Sequence, residues 1–241
     1  MARIASMHFP VATLGPGRRL GVWFQGCALA CRGCMSRHTW DPEGGSEEAV
    51  DRLVGRWREA LEAGAEGLTV SGGEPLAQPE ALSALLAGAA AAREAARGGP
   101  DGADLLVYTG HTEEEIAADP RRAAAVRDAD ALITGRYEAA RPTTLVWRGS
   151  ANQRLLPRTP LGRRRYGPHL ERTAAAPALE AVAAPDGRGV LLHGVPRPGE
   201  LAELERRLRA AGTRLNDRSW RPGPDPGERD ASRRARRGRC G

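Results

Sequence analysis

Three cysteines with close, uneven spacing are the residues of this chain best suited to chemistry. Cys27, Cys31 and Cys34 fall within eight positions as Cys-x3-Cys-x2-Cys, directly after an apolar run. The short spacers allow one loop to turn all three thiolates toward a single centre. Three thiolates are one fewer than a closed tetrahedral zinc site requires, and an iron–sulfur cube held by three leaves one iron free. The spacing therefore predicts a metal centre with an open coordination position.

A structural zinc site in a non-catalytic binding module is the alternative for the same cysteines. His38 follows the last of them as Cys34-x3-His38, and its imidazole could supply a fourth ligand. Cys240 could be a fourth ligand too. It ends a segment rich in arginine, proline and glycine, so we do not expect it to take part.

A second motif, Ser71-Gly-Gly-Glu-Pro-Leu76, follows a short apolar run. Gly72 and Gly73 carry no Cβ, so the backbone there can approach a ligand closely. An ordinary strand-to-helix turn, in which Pro75 begins the next helix, explains the same residues.

Taken together, these motifs resemble a known family. Cys-x3-Cys-x2-Cys is typical of the radical S-adenosylmethionine enzymes. The flanking residues are most similar to the glycyl-radical-enzyme activases, especially the activating proteins of anaerobic ribonucleotide reductase. The resemblance covers residues 15 to 160 and is carried by Gln25-Gly-Cys27, Cys31-Arg-Gly-Cys34, Thr39-Trp40, Ser71–Leu76, Tyr108-Thr-Gly110, Ile133-Thr-Gly-Arg-Tyr137 and Trp147-Arg-Gly-Ser-Ala-Asn-Gln-Arg154. Many family members have an aromatic residue before the third cysteine, where this chain and the reductase activases have glycine, here Gly33.

The resemblance implies the cofactors and the site residues. Cys27, Cys31 and Cys34 would hold a [4Fe-4S] cluster whose fourth iron chelates S-adenosyl-L-methionine. Reductive cleavage would then give a 5′-deoxyadenosyl radical. Gly72, Gly73 and Glu74 would hold the amino group of S-adenosylmethionine, and the remaining cofactor-binding candidates are Gly33, Tyr108, Thr134 and Arg136. The resemblance assigns no role to Asn152, Gln153 and Arg154.

The resemblance also implies the partners. The substrate would be a glycyl-radical enzyme, such as an anaerobic ribonucleotide reductase, and the electron would come from a flavodoxin- or ferredoxin-type donor. A radical S-adenosylmethionine enzyme that modifies a small molecule or a peptide is the alternative. Residues 138–188, where we expect substrate choice to be made, have the weakest pattern.

Strands and helices alternate along the chain in a way that would position these motifs. Apolar runs at residues 18–25, 67–71, 104–108 and 131–134 predict strands, and a helix starting at Ser46 and helices over 78–97 and 112–127 fall between them. Such alternation predicts an α/β fold with a parallel sheet, and the resemblance implies the short form of the partial open (β/α) barrel. Residues 1–17 are expected to be an approach segment, 145–148 a strand, 163–165 a loop, 189–195 the last strand and 199–211 a helix.

Composition limits the remaining possibilities. The 241 residues suit one domain, 1–215, followed by a disordered basic tail, 216–241. Residues 221–241 contain seven arginines and three acidic residues, so they supply +4 of the formal net charge of +6. A nucleic-acid partner is therefore not expected for the domain. The chain has no run of about 18 apolar residues and no apolar secretory segment, and the cysteine spacing does not suggest disulfides, so we expect a cytoplasmic protein.

Overall fold

A seven-stranded mixed sheet forms the centre of the protein. The computed structural model describes residues 1–96, 102–174, 179–183, 189–213, 215 and 220. The strand order is β3-β1-β2-β4-β5-β6-β7, and β2, β4, β5 and β6 are parallel to one another. The strands are β1 (Ala2–Val11), β2 (Arg19–Phe24), β3 (Ser46–Glu48), β4 (Gly67–Gly72), β5 (Asp104–Tyr108), β6 (Ala131–Thr134) and β7 (Arg154–Pro157). The four central strands lie where the apolar runs predict them.

Helices cover one face of this sheet. Alternate strand residues, such as Val22, Val70 and Val107, pack against α1, α2 and the short helices that follow. The other face carries Trp23, Leu106 and Ile133, because side chains alternate across a strand. The helices are α1 (Val50–Glu62), α2 (Pro79–Ala95), α3 (Glu113–Ala117), α4 (Pro120–Ala125), α5 (Pro160–Tyr166) and α6 (Glu200–Ala210).

We call this second face of the sheet the open face. A buried ion pair lies on it. Arg19 is fully buried and donates to both carboxylate oxygens of Asp104, at 2.7 and 3.1 Å. The Tyr166 hydroxyl and the Arg165 guanidinium bind the same carboxylate. A buried guanidinium is thus matched here by a carboxylate, as the cost of burying a charge requires.

Several expectations for the ends of the chain and its connections were wrong. Residues 1–17 are not only an approach segment, because β1 pairs antiparallel with β2 and with β3. Ser46 does not cap α1. It lies in β3, and the helix starts after Ala49. The arginines at 163–165 are in α5, which the Thr159 hydroxyl caps.

Two predicted strands also need correction. Residues 145–148 form only an isolated bridge, from Leu145 to Thr173, and the strand next to β6 is instead β7. The strand predicted at 189–195 is present as β9 (Val190–Gly194). It pairs with β8 (Leu179–Ala183) in a separate hairpin and does not extend the main sheet.

The C-terminal end of the chain is largely outside the described residues. The expected disordered tail and Cys240 lie outside the described residues, apart from Trp220. Among the helices that are described, none is long and apolar enough to cross a membrane.

Candidate metal and cofactor site

The cysteine loop starts where β2 ends, and hydrogen bonds close its base. The main-chain N–H groups of Gly26 and Cys27 donate to the carbonyls of Thr39 and Trp40, at 2.8 and 3.0 Å. Gln25 is buried, and its side-chain amide donates to the carbonyl of Asp41 at 2.7 Å. The loop is therefore fixed at both ends on a rigid strand.

The three thiols of the loop are free and partly buried. Burial raises the pKa of Cys27 and of Cys34. The negative charge of the Cys34 thiolate also raises the pKa of Cys27. Main-chain N–H groups oppose this. Those of Leu29 and Ala30 lower the pKa of Cys27, and that of Ser36 donates to Cys34 Sγ at 3.4 Å. Such donors stabilise thiolate ligands and tune the potential of an iron–sulfur cluster.

The chemistry of this donor set suits an iron–sulfur cluster. A zinc ion would need its ligands at about 2.0–2.3 Å from one point, whereas a cube bonds each thiolate through a different iron. His38, the fourth ligand of the zinc alternative, is exposed. The donor set of three partly buried thiols is the chemistry that a [4Fe-4S] cluster uses.

Gly72 and Gly73 lie beside the base of the cysteine loop. Gly73 N–H donates to the Phe24 carbonyl at 2.8 Å, and Glu74 N–H donates to the Gly26 carbonyl at 2.9 Å. A Cβ on Gly73 would stand 2.3 Å from the Gly26 carbonyl oxygen, and Gly72 has a φ of +112°. Close packing of two main chains therefore requires both glycines, whether or not they also contact a ligand.

Glu74 is buried, and three neighbours use its carboxylate. Thr109 Oγ1 and Leu76 N–H donate to Oε1 at 2.8 and 2.9 Å, and Gly110 N–H donates to Oε2 at 2.8 Å. Burial raises the pKa of Glu74, and these hydrogen bonds oppose the shift. The side chain thus ties the carboxyl end of β4 to that of β5.

A cavity of about 330 Å³ lies on the open face beside the cysteine loop. We call it the main cavity. Gly33 and Tyr108, two of the predicted cofactor-binding residues, line it together with Met35, Ser36 and Ser71. The Tyr108 hydroxyl is buried, and no described residue is its hydrogen-bond partner. A volume above 300 Å³ is within the range of small-molecule sites.

The other predicted cofactor-binding residues do not line the main cavity, as far as the chain is described. Thr134 is buried and shares the helix-covered face with Leu132. Arg136 pairs with Glu115 at 2.9 Å, and this hydrogen bond raises the pKa of Arg136 and lowers that of Glu115 to about 2. Gly72, Gly73 and Glu74 pack against the main chain at the base of the cysteine loop.

Asn152 and Gln153 hold a neighbouring loop in place. Asn152 Nδ2 donates to the Arg136 carbonyl at 2.7 Å, and Gln153 Nε2 donates to the Gly135 carbonyl at 2.9 Å. Gln153 Oε1 accepts from Gly149 N–H at 2.7 Å. The loop that they fix carries Tyr137, whose ring would lie 3.3 Å from a Cβ on Gly33. Arg154 makes only an exposed pair with Glu113.

Sequence reasoning missed the aromatic walls of the main cavity. Trp23, Tyr137 and Trp147 line it, together with His193 from β9. His193 stacks on Trp23 with ring centroids 4.7 Å apart. Alternation along β2 could have assigned Trp23 to the open face, but nothing local in the sequence connects β9 with β2.

The chain is similar to a family of iron–sulfur proteins and to several activating enzymes. A family model described as "4Fe-4S single cluster domain" matches residues 13–156. The chain is 34% identical over 142 residues to the anaerobic ribonucleoside-triphosphate reductase-activating protein of Pasteurella multocida, which covers 58% of this chain and 87% of that protein. For the protein of the same name from Enterobacteria phage T4 the identity is 32% over 143 residues, covering 58% and 85%.

A second group of relatives shares a shorter part. The chain is 44% identical over 83 residues to pyruvate formate-lyase 1-activating enzyme of Escherichia coli K12, covering 33% of this chain and 34% of that enzyme. The family model ends before α5, so the β8–β9 hairpin and α6 lie beyond it. These similarities, together with the three cysteines that follow β2, place the chain in the 4Fe-4S single cluster domain family. Within it, the chain belongs among the radical S-adenosylmethionine enzymes of the glycyl-radical-activating type.

Proposed function

We propose that this chain uses a [4Fe-4S] cluster and S-adenosylmethionine to install a glycyl radical on a partner enzyme. The observation that carries the proposal is the position of the thiol triad. Cys27, Cys31 and Cys34 follow the carboxyl end of β2, and this edge of a parallel sheet is where ligands of α/β folds bind. They lie beside a cavity of about 330 Å³. The names of the relatives support the same activity.

The residues of this chain would bind and orient the cofactors. Cys27, Cys31 and Cys34 hold the cluster, and the N–H groups directed at Cys27 and Cys34 favour their thiolate forms. Gly33 and Tyr108 line the space that S-adenosylmethionine would occupy. The cluster and S-adenosylmethionine, when bound, would supply one-electron reductive cleavage, with methionine as one product.

Glu74 acts in this proposal by positioning the site. Its carboxylate is already shared among three protein donors, so it orders the main chain of Gly72 and Gly73 next to the cysteine loop. Neither Thr134 nor Arg136 lines the main cavity where the chain is described. Arg136 would act by its charge, because its hydrogen bond to Glu115 and then the charges of Cys31 and Glu74 raise its pKa.

The proposal also includes the type of barrel, the electron donor and the partner enzyme. We propose that the four parallel strands, with helices on one face and the cavity on the other, form the short, partial open (β/α) barrel. The electron would come from a flavodoxin- or ferredoxin-type donor in the cytoplasm, and the partner would present a glycine on a flexible segment.

Anaerobic reconstitution tests the proposed chemistry. The protein is loaded with iron and sulfide and reduced in the presence of S-adenosylmethionine, and 5′-deoxyadenosine and methionine are quantified. We expect both products from the wild type and neither from Cys34→Ala. A full cluster without either product, with a competent reductant present, would contradict the enzyme assignment. A colourless protein that retains zinc would support the structural zinc alternative.

A second candidate is a radical S-adenosylmethionine enzyme that modifies a small molecule or a peptide. It is favoured by one observation: the wall of the main cavity includes Leu192, His193 and Leu201, which lie beyond the family model. Electron paramagnetic resonance separates the two. A glycyl radical on an added partner enzyme supports the activase, whereas cleavage of S-adenosylmethionine that responds only to a small substrate supports the second candidate.

A further inference from the structure

Arg148 is a buried arginine for which the described part of the chain supplies no ion pair. Burial lowers the pKa of Arg148, and the charges of Glu171 and Tyr108 oppose this shift without cancelling it. Arg148 is 7% exposed and lies on the open face of the sheet, next to Trp147. Its Nη2 donates to the main-chain carbonyls of His169 and Leu170, its Nε has no acceptor, and it forms no ion pair among the described residues. Burying a charge with so few partners is costly. Arg19, which the same protein buries completely, is matched by Asp104 in a two-pronged pair.

Arg148 lines a small cavity of about 70 Å³. We call it the side cavity. Arg148 and Arg197 both line it, with three threonines, Thr13, Thr143 and Thr144, and its described lining contains no aspartate or glutamate. Thr13 is 8% exposed, and its hydroxyl has no hydrogen-bond partner among the described residues. Two buried residues that each carry a polar atom without a described partner therefore line one cavity, and native proteins avoid such atoms unless water or a ligand satisfies them.

The side cavity adjoins the main cavity. Trp147, Gly149, Val195 and Pro196 line both spaces. Tyr108, whose hydroxyl also has no partner among the described residues, lines the main cavity. Burial raises the pKa of Tyr108, and the charges of Arg19 and Arg148 oppose this shift. A molecule that occupies the main cavity beside Gly33 and Met35 could therefore extend one group toward Arg148.

We propose that the side cavity is a carboxylate-binding subsite, in which Arg148 and Thr13 recognise the anionic group of a ligand whose remainder lies in the main cavity. Arginine presents a planar fork of donors that matches a carboxylate. A volume of about 70 Å³ is roughly half of the 150 Å³ cavity that accommodates benzene, so it suits a group of three or four heavy atoms. The ligand would complete for Arg148 the kind of pair that Asp104 completes for Arg19.

Anion-dependent stability of the full-length protein tests this subsite without cluster, reductant or S-adenosylmethionine, so its failure would leave the proposed function untouched. Thermal unfolding is followed by circular dichroism with increasing acetate, replacing chloride at constant ionic strength. We expect a saturable rise in melting temperature, since a ligand that binds only the native state stabilises it. Phosphate and sulfate, in parallel series, show whether the site prefers a planar or a tetrahedral anion.

Variants locate the effect. Arg148→Gln should weaken acetate binding at least about tenfold, because hydrogen bonds to charged groups are strong, while the exposed control Arg141→Gln should respond like the wild type. Thr13→Val should weaken binding several-fold and keeps the side-chain volume, so it carries the test if Arg148→Gln does not fold. The proposal is overturned if acetate does not stabilise the wild type, if Arg148→Gln and Thr13→Val both respond normally, or if only the tetrahedral anions stabilise.

Discussion

The main-chain N–H of Gly110 donates to the carboxylate of Glu74 at 2.8 Å and so joins the carboxyl ends of β5 and β4. Leu29 of the cysteine loop packs against this junction. A Cβ added to Gly110 would stand only 2.4 Å from Leu29 Cδ1. The Gly-Gly-Glu motif and the Tyr-Thr-Gly motif thus form a platform under the cysteine loop. The contacts of these two motifs within the described chain are therefore structural.

Gly110→Ala should disturb the cysteine loop more than it disturbs the fold. The new methyl group must displace the end of the Leu29 side chain, which is half-buried and flexible, so the loop that carries Cys27 and Cys31 loses this contact. We expect modestly fewer iron and sulfide ions per chain after reconstitution, measured by iron and sulfide analysis. Gly167→Ala, where a Cβ meets nothing within 4 Å, is the matched control. Equal loading of the two variants would contradict the platform.

Gly73→Ala should unfold more easily than the wild type even without any cofactor. Its Cβ would lie 2.3 Å from the carbonyl oxygen of Gly26 and 2.8 Å from that of Thr39, and these main-chain atoms cannot yield independently. We expect the free energy of unfolding to fall by about 3 kcal/mol, measured by urea denaturation of the metal-free protein.

Gly55→Ala provides the comparison for that experiment. Gly55 lies in α1, and a Cβ there has open space. Alanine should therefore raise the free energy of unfolding by about 0.5–1 kcal/mol. If Gly73→Ala were as stable as the wild type and lost only affinity for S-adenosylmethionine, the glycine would serve the ligand alone.

The sequence was informative where structure is local or strongly apolar. The central strands are runs such as Leu105–Val107, in which every residue is buried, and the cysteine loop is specified by its own spacing. β1 was missed because its half-buried residues alternate irregularly and include His8 and Pro10. Contacts such as that between Gln153 and Gly135 depend on the fold, so no local pattern indicates them.

Gln153→Glu should release the loop that carries Tyr137. The substitution keeps an acceptor for Gly149 N–H but replaces the donor to the Gly135 carbonyl with an oxygen, which repels it. A lost buried hydrogen bond with an unsatisfied carbonyl costs about 1–3 kcal/mol. Hydrogen exchange should therefore rise at residues 135–138. Arg154→Gln, which removes only an exposed ion pair, should change stability by less than about 1 kcal/mol; equal exchange in both variants would count against the clamp.

Protonation of His193 should weaken the protein as the pH falls. Burial lowers the pKa of His193 from 6.5 to about 4, and the nearby His8 acts in the same direction while Glu180 opposes it. The folded state then favours the neutral ring, so the stability is fully present above pH 6.5 and declines between pH 6.5 and 4. A shift of this size corresponds to about 3 kcal/mol.

A variant that cannot titrate isolates this contribution. His193→Phe keeps a ring to stack on Trp23 but has no proton to gain, so its free energy of unfolding should fall less than that of the wild type from pH 7 to pH 4. Urea denaturation at several pH values measures the difference, which should approach about 3 kcal/mol at the acid end. Parallel curves for the two proteins would show that His193 is already solvated in the native state, and that the β8–β9 hairpin does not seal this wall of the main cavity.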